Sequence, residues 1–444
     1  MPPLRLILAE SRATLRLAVP LMAGQLSQML MGLIDSAMVG RVGVVPLAAA
    51  AFGNSLLSMP MLIGIGLLIS VSVRVAQAHG AGQEAEAGEI LRHGLALSVG
   101  AGVLLAAGVS LLSFGLQHFG QSPEVATEAR TYLILMGWSL VPMLVSLALK
   151  QFSEALHHPW PPMIILLTSV GVNSALNWVL IYGNLGFPAL GLAGAGLSTL
   201  IARCLGAVAL WIYVRKARRF AEHTRLHWLR PLEGEKLRNL IRVGLPTAGM
   251  LVLESSAFSF AAIMVGWLGA VPLAAHQIAL ACSSTTFMLP LGLSMATTIR
   301  VGQAVGGGEK TRLRAICVSA QGLGMLVMLT CGALLALGRE TIAGAFVHDP
   351  AVISQAMVLL LAAALFQVFD GLQVVASGAL RGLADVNFPV LLCLVAYWGV
   401  ALPLGYLAGF PGGYGALGVW FGLAAGLAFA GSLLSARTWW QTRG

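Results

Sequence analysis

The sequence predicts an all-α integral membrane protein, with twelve transmembrane helices in two parallel, pseudo-symmetric six-helix lobes around a central cavity. Composition is the first observation behind this: of 444 residues, 58% are hydrophobic and only 10% are charged, with a mean hydropathy of +0.86. A soluble surface requires more charge than this. The second observation is the number of long apolar segments, and the third is an internal repeat.

Apolar runs of about 20 residues, the length that crosses ~30 Å of hydrocarbon, recur along the whole chain. The N-terminal segment interrupts its apolar residues with Arg5, Glu10, Arg12 and Arg16, so we interpret it as an amphipathic lead-in and not as a signal peptide. The predicted spans are 16–40, 46–73, 92–116, 130–150, 162–183, 190–214, 239–268, 272–299, 314–337, 353–380, 387–409 and 414–436.

The two halves of the chain resemble each other. The segment VGRVGVVPLAA at 39–49 matches VGWLGAVPLAA at 265–275 in eight of eleven positions, an offset of 226 residues. At the same offset, RVAQAHGAG (74–82) matches RVGQAVGGG (300–308) in six of nine positions. Six helices per half is an even number, so both copies enter the membrane from one side, an arrangement typical of two-lobed transporters. We therefore predict an N-terminal lobe at 1–220, a cytoplasmic linker at 221–238 and a C-terminal lobe at 239–444.

Basic residues set the orientation. With both termini in the cytoplasm, 22 of the 26 Lys and Arg residues lie on the inner side, and the outer loops hold three. This asymmetry predicts cytoplasmic termini. The net charge of +9 is then explained by a linker that contacts anionic lipid headgroups, so membrane lipids are expected partners and nucleic acid is not.

Three carboxylates lie inside segments that otherwise suit lipid: Asp35, Glu254 and Asp370. A charge at the bilayer centre costs at least ~2.5 kcal/mol, so an intramembrane acid is a functional-site hypothesis by default. A desolvated alkali cation needs charge and hard oxygen ligands, whereas a proton needs only a suitable carboxylate. We predict cation binding and coupling at all three acids, with Na⁺ as a candidate ligand of Glu254 and Asp370.

Polar side chains accompany the acids at helical spacing. They form the supporting network that we predict, which consists of Gln28, Asn173, Asn177, Gln277, Gln367 and Gln373. Two roles remain open for the asparagine pair, because amides at this spacing also bridge neighbouring membrane helices.

Flexible and aromatic side chains on the first, seventh and eighth helices would suit varied aromatic ligands, although lipid-facing residues have the same composition. The predicted cavity residues are Met31, Phe258, Met264 and Phe287. The five cysteines lack metal-ligand spacing, so we expect core positions for them and no zinc site or disulfide framework.

Two further expectations concern single residues. Glu154 and His157 precede the segment HPWPP and are expected in a solvated cytoplasmic loop. Pro20 and Pro246, which the 226-residue offset aligns, are expected near the starts of the first and seventh spans, where proline acts as a hinge or occupies an ordinary first turn.

Three segments carry a family resemblance: GLIDSAMVGRVGVVPLAAAAFG, VPLAAHQIALACSSTTFMLPLGLSMATTIRVGQAVGGG and GALRGLADV. They resemble the multidrug and toxic compound extrusion (MATE) family, in its NorM-type branch, over essentially the whole chain. The resemblance implies export of organic cations from the bacterial inner membrane by Na⁺ or H⁺ antiport. It also implies a C-lobe cation site at Glu254 and Asp370, and an N-lobe polar network of Asp35, Asn173 and Asn177.

Alternative functions differ in the charges they need. A lipid-linked oligosaccharide flippase of the same superfamily carries an anionic cargo, which favours intramembrane Arg or Lys, yet only Arg203 lies within a predicted span. An intramembrane aspartyl protease is disfavoured because Asp370 lacks the Gly-x-Gly-Asp context. We therefore expect no catalytic residue and no cofactor apart from the coupling ion, and we expect a monomer.

Overall fold

The chain is almost entirely helical in a computed structural model that describes residues 3–224 and 230–443. Within these ranges, twelve helices are long and apolar enough to cross a membrane, which confirms the predicted number. Residues 225–229 of the predicted linker lie outside the described residues. The twelve helices are α1 (Leu4–Gly40), α2 (Val44–Gly80), α3 (Glu84–Phe119), α4 (Pro123–Ala155), α5 (Trp160–Tyr182), α6 (Gly191–Lys216), α7 (Gly234–Gly266), α8 (Ala270–Gly306), α9 (Lys310–Phe346), α10 (Pro350–Gly382), α11 (Asn387–Gly409) and α12 (Gly415–Gln441).

Most helices extend beyond the apolar run that predicts them. The lead-in before the first span is part of α1, which begins at Leu4, and α7 begins at Gly234. Pro20 and Pro246 therefore lie well inside their helices, and the first-turn explanation for them is wrong. Each proline removes one backbone hydrogen bond from the helix interior, which favours a bend.

The backbone repeats at the same offset as the sequence. Both ends of α2 and both ends of α8 are separated by 226 residues. The turn after each helix uses a left-handed glycine, Gly82 with φ 70° and Gly308 with φ 69°, a conformation that glycine adopts without steric cost. The duplication that the sequence indicates therefore extends to the turn geometry.

The chain divides into two compact units. Unit 1 comprises Met1–Gln25 and Gly249–Gly444, and unit 2 comprises Leu26–Ala248. The first part of α1 thus packs with the C-terminal half of the sequence, and the first part of α7 packs with the N-terminal half. The division into two lobes by sequence repeat stays a prediction.

Unit 1 contains a close approach between α11 and α12. Gly418, Gly422 and Gly426 recur every four residues on α12, and a side-chain carbon at any of them would collide with the backbone of α11. Small residues at this spacing let membrane helices pack backbone to backbone.

Two helices are irregular at positions that proline explains. Proline has no N–H to bond the carbonyl four residues earlier, and α4 is interrupted at Ser139, close to Pro142. In α11, the π-helical stretch Leu394–Ala401 lies immediately before the turn that contains Pro403. Such π-helical turns often occur at functional sites, and both irregularities position side chains that are described below.

We predict that Gly422→Ala destabilises the protein by about 1–3 kcal/mol, because the added methyl group overpacks the contact with Gly405 on α11. The measurement is the thermal unfolding of purified protein in detergent. Gly322→Ala on α9 is the matched control, since its added carbon meets nothing within 4 Å. An equal Tm for the two variants would contradict the proposed close packing.

Candidate functional site

Two predicted acids of unit 1 lie on neighbouring helices and interact. Glu254 on α7 and Asp370 on α10 are close enough for their charges to repel each other. The hydroxyl of Tyr397, on the π-helical part of α11, donates a hydrogen bond to Glu254 Oε1 at 3.0 Å. Arg381, at the end of α10, attracts Glu254 electrostatically and donates to Ser294 Oγ at 2.7 Å. The structure thus brings both predicted acids of this half into one charged cluster.

Further oxygen atoms lie buried on the same helix as Asp370. The side chains of Gln367, Asp370, Gln373 and Ser377 follow one another every three or four residues on α10 and are all buried. Among the described residues, Gln367 Oε1, Gln373 Oε1 and Ser377 Oγ have no hydrogen-bond partner. Oxygens of this kind, together with two carboxylates, are the donor set that a hard cation prefers. Gln373 and Gln367 each donate as well, to Cys393 Sγ and Thr286 Oγ1 respectively.

Aromatic rings surround the Glu254 cluster. The ring centroid of Phe258, one turn after Glu254 on α7, is 6.2 Å from that of Tyr397 and 5.9 Å from that of Phe366. Phe366 in turn packs edge-on against Trp420 at 5.5 Å, whose indole N–H donates to His276. His276 is therefore a packing residue of the core.

Unit 2 holds Asp35 in a network of amides. Asn177 Nδ2 on α5 donates to Asp35 Oδ1 at 2.6 Å and also lies 3.2 Å from Asn173 Oδ1. Asn173 Nδ2 donates to Thr199 Oγ1 on α6 at 3.3 Å. Both asparagines are fully buried. The geometry shows that the predicted asparagine pair binds the carboxylate directly, so it does more than bridge helices.

A positive charge accompanies this network. Arg203 lies one turn after Thr199 on α6 and interacts electrostatically with Asp35 and Tyr132. Its guanidinium donates to Ser139 Oγ at 2.7 Å, at the interruption of α4. Asp35 forms no ion pair within 4.0 Å in the described ranges, so amide donors and a nearby charge hold it together.

Some predicted residues lie elsewhere. Gln28 and Gln277 are exposed and outside both buried networks. Met264 is 1% exposed within the apolar core of unit 1, so it does not line an open cavity wall. Met31 and Phe287 are half-buried.

The expectation of a solvated Glu154 is wrong. Glu154 is 2% exposed in the last turns of α4, where its Oε1 lies 3.6 Å from Lys150 Nζ. The apolar run that predicts the fourth span stops at Lys150, whereas the helix continues to Ala155. A pair of opposite charges one turn apart allows the helix to remain buried. His157, in the turn that follows, is exposed as expected.

Sequence patterns miss four residues of these sites: Tyr397, Arg381, Thr199 and Tyr132. Tyr397 stands alone in an apolar run, so no polar periodicity marks it. Arg381 contributes to the positive charge assigned to the inner side, yet it is 4% exposed. Only Arg203, an unpaired intramembrane charge in the sequence, carries a signal of its own.

A histidine cluster lies outside the carboxylate sites, in unit 2. His79 Nδ1 is 2.9 Å from Glu84 Oε1, and His223 contacts the other oxygen of the same carboxylate. These ion pairs attach the short helix Ala221–Thr224 to the turn between α2 and α3, and the three ligand atoms lie within 4.8 Å of one another. In the turn between α4 and α5, burial and the charges of Arg219 and His79 lower the pKa of His158.

Twelve helices, an internal duplication and carboxylates buried among polar partners define a multi-pass membrane protein of the transporter type. The MatE family model matches residues 20–179 and 246–407, once in each half. The chain belongs to the MatE family, and it is a transporter and not an enzyme.

Relatives and solved structures agree with this assignment. The chain is 38% identical over 432 residues to a protein of Xanthomonas campestris named "Probable multidrug resistance protein NorM", covering 97% of this chain and 94% of that one. A protein of the same name from Mesorhizobium japonicum is 38% identical over 445 residues, covering 96% and 93%. The fold matches, with a TM-score of 0.89 and 21% identity, a structure described as the outward-facing conformation of a multidrug resistance MATE family transporter of the MOP superfamily, covering 98% and 96%.

We predict that Asn177→Ala lowers the stability of the protein by about 1–3 kcal/mol, because it leaves Asp35 and Asn173 without their shared donor. The measurement is Tm in detergent. Asn184→Ala removes a comparable amide from an exposed hydrogen bond to Trp178 and is expected to change Tm little. If both variants unfold at the same temperature, the buried network contributes nothing to stability.

Proposed function

We propose that this chain exports cationic, lipophilic small molecules of several kinds, by alternating access coupled to Na⁺ or H⁺ entry. The observation that carries the proposal is the cluster of Glu254 and Asp370 with Tyr397 in unit 1. Two carboxylates in one apolar surrounding repel each other, so a bound cation or proton is strongly favoured there. A bound drug cation satisfies the same requirement, which makes ion and drug alternative ligands of one charge.

The oxygen atoms near Asp370 support Na⁺ as one ligand of this site. Gln373 Oε1 and Ser377 Oγ are buried and lack partners among the described residues, and each buried oxygen without a donor is costly. A hard cation would satisfy several of them at once. Glu254 and Asp370 would supply its charge, and no resident cofactor is needed.

Asp35 has a different role in the proposal. Amide donors from Asn177 and a nearby arginine surround it, while the described part of unit 2 places no second carboxylate beside it. One acid with amide donors is a poor alkali-ion site and a suitable proton-sensitive switch. The two halves of the repeat then divide the work between ion binding and proton response.

The predicted cargo follows from charge and from the aromatic surroundings. Phe258 stacks near Glu254, and aromatic faces attract organic cations, most strongly where water is excluded. The names of the relatives, which refer to multidrug resistance, support varied cargo. The predicted wall residues Met31 and Phe287 are half-buried and remain available for contact.

The finer points of location are also proposals. An even number of spans places both termini on one side, and the excess of Lys and Arg on that side supports a cytoplasmic position. We assign the protein to the bacterial inner membrane as a monomer in contact with anionic lipids. The two sequence lobes, 1–220 and 239–444, would be the halves that alternate.

An anionic cargo, as in an oligosaccharide flippase, is less well supported. It would require buried cations without acidic partners. Arg300 contacts Glu10, and Arg381 is attracted by Glu254. The buried acids therefore balance the buried arginines in unit 1.

We predict that Glu254→Gln or Asp370→Asn abolishes coupled export, because each removes a charge that the ion and drug share. The measurement is dye efflux from proteoliposomes with independently set pH and Na⁺ gradients, at equal levels of inserted protein. Glu128→Gln, on the exposed start of α4, serves as the charge-matched control. Efflux at the wild-type rate from either buried-site variant would remove that acid from the mechanism.

Asp35→Asn should weaken drug export and flatten its pH dependence while Na⁺ binding to unit 1 persists, because the two acids Glu254 and Asp370 remain. Na⁺ binding is measured by calorimetry on purified protein, and export by the same efflux assay. Loss of Na⁺ binding in a folded variant would show that the two sites do not divide the work in this way.

A further inference from the structure

The pseudo-symmetric counterpart of a buried ion pair is incomplete in unit 2, and its cavity fits an anion. In unit 1, the guanidinium of Arg300 on α8 donates to the Glu10 carbonyl at 2.6 Å and to Thr14 Oγ1 at 2.5 Å, and it contacts the Glu10 carboxylate. Arg312 on α9 donates to the second carboxylate oxygen at 3.1 Å. Arg300, which is 3% exposed, is thus fully supplied with acceptors.

The 226-residue offset aligns these residues with a different set in unit 2. Arg300 corresponds to Arg74 on α2, which is retained, whereas Glu10 corresponds to Lys236 and Thr14 to Leu240 on α7. Arg312 corresponds to Glu86 on α3. The exchange reverses the polarity of the outer ion pair, since Lys236 Nζ now lies 3.0 Å from Glu86 Oε2. It also removes both side chains that accept hydrogen bonds from the arginine in unit 1.

Arg74 consequently lacks an anionic partner. Its Nη1 donates only to Gln77, one turn away on the same helix, at 3.1 Å. Its Nε is buried and has no acceptor among the described residues. Arg242 on α7 lies near enough to repel it, and neither guanidinium forms an ion pair within residues 3–224 and 230–443.

A cavity of about 250 Å³ lies at this position, and its lining includes Arg74, Gln77, Glu86, Lys236 and Asn239. The volume exceeds that of several water molecules, each of which occupies about 30 Å³. The acids near Lys236 are already used, because Glu86 and Glu233 both contact its ammonium group. His93 also lines the cavity, and its Nε2 accepts from the Glu233 N–H, so it adds no required charge.

We infer that this cavity is a binding site for a phosphate group, held by the guanidinium of Arg74 with support from Arg242 and Asn239. Arginine presents a planar set of donors that matches phosphate oxygens, and such charge-assisted bonds are the strong ones. The phosphate would take the place that the Glu10 carboxylate occupies in unit 1. It would come from a soluble anion or from an anionic lipid headgroup, which share this chemistry.

The test measures the Tm of the purified full chain in neutral detergent at constant ionic strength. One series replaces sodium chloride with sodium phosphate, and a second adds phosphatidylglycerol or, for comparison, phosphatidylcholine to the micelles. A ligand that binds the folded state raises Tm in proportion to the logarithm of its concentration. We expect wild-type Tm to rise by several degrees with at least one phosphate-bearing probe and not with phosphatidylcholine.

Two variants locate the effect. Arg74→Gln should lose the increase, whereas Arg41→Gln, an exposed arginine elsewhere in unit 2, should keep it. The double exchange Lys236→Glu with Glu86→Arg recreates the arrangement of unit 1 and gives Arg74 a carboxylate partner. It should unfold at or above the wild-type Tm without any probe and respond to none.

The outcomes separate the sources of the phosphate. A response to inorganic phosphate alone assigns the site to a soluble anion, a response to phosphatidylglycerol alone assigns it to a lipid headgroup, and a response to both supports the shared chemistry. The inference is overturned if wild-type Tm responds to neither probe. It is overturned equally if the double-exchange variant responds as wild type does.

Discussion

The cost of leaving a polar or charged group unpaired in an apolar surrounding governs this structure. Each buried charge that the described residues place within a spanning helix has a partner on another helix or one turn away. Tyr397 donates to Glu254, Asn177 donates to Asp35, and Glu10 contacts Arg300. These bonds join helices that are distant in sequence, so the functional charges also hold each unit together.

Duplication supplies a frame in which chemistry can diverge. The helices and turns repeat at 226 residues, yet Glu254 aligns with Gln28 and Asp35 aligns with Ala261. The backbone tolerates such exchanges because helix length and turn geometry depend on apolar length and on glycine, not on the buried charge. One unit therefore acquired two neighbouring acids, and the other acquired one acid within an amide network.

Helix irregularities place polar side chains where a regular helix would not. The interruption of α4 at Ser139 provides an acceptor for Arg203, and the π-helical stretch of α11 carries Tyr397 to Glu254. Both follow from the missing N–H of a nearby proline. The same prolines thus weaken a helix locally and strengthen a contact between helices.

Sequence alone determined the membrane fold, the helix number, the repeat and the three buried acids, because hydropathy, periodicity and the cost of an intramembrane charge are local properties. Tertiary structure decided the partners. Glu254 and Tyr397 are 143 residues apart, and Asp35 and Asn177 are 142 apart, and no local pattern encodes which distant side chain a helix meets. It also decided that Glu154 is buried, because a neighbouring lysine extends a helix beyond its apolar run.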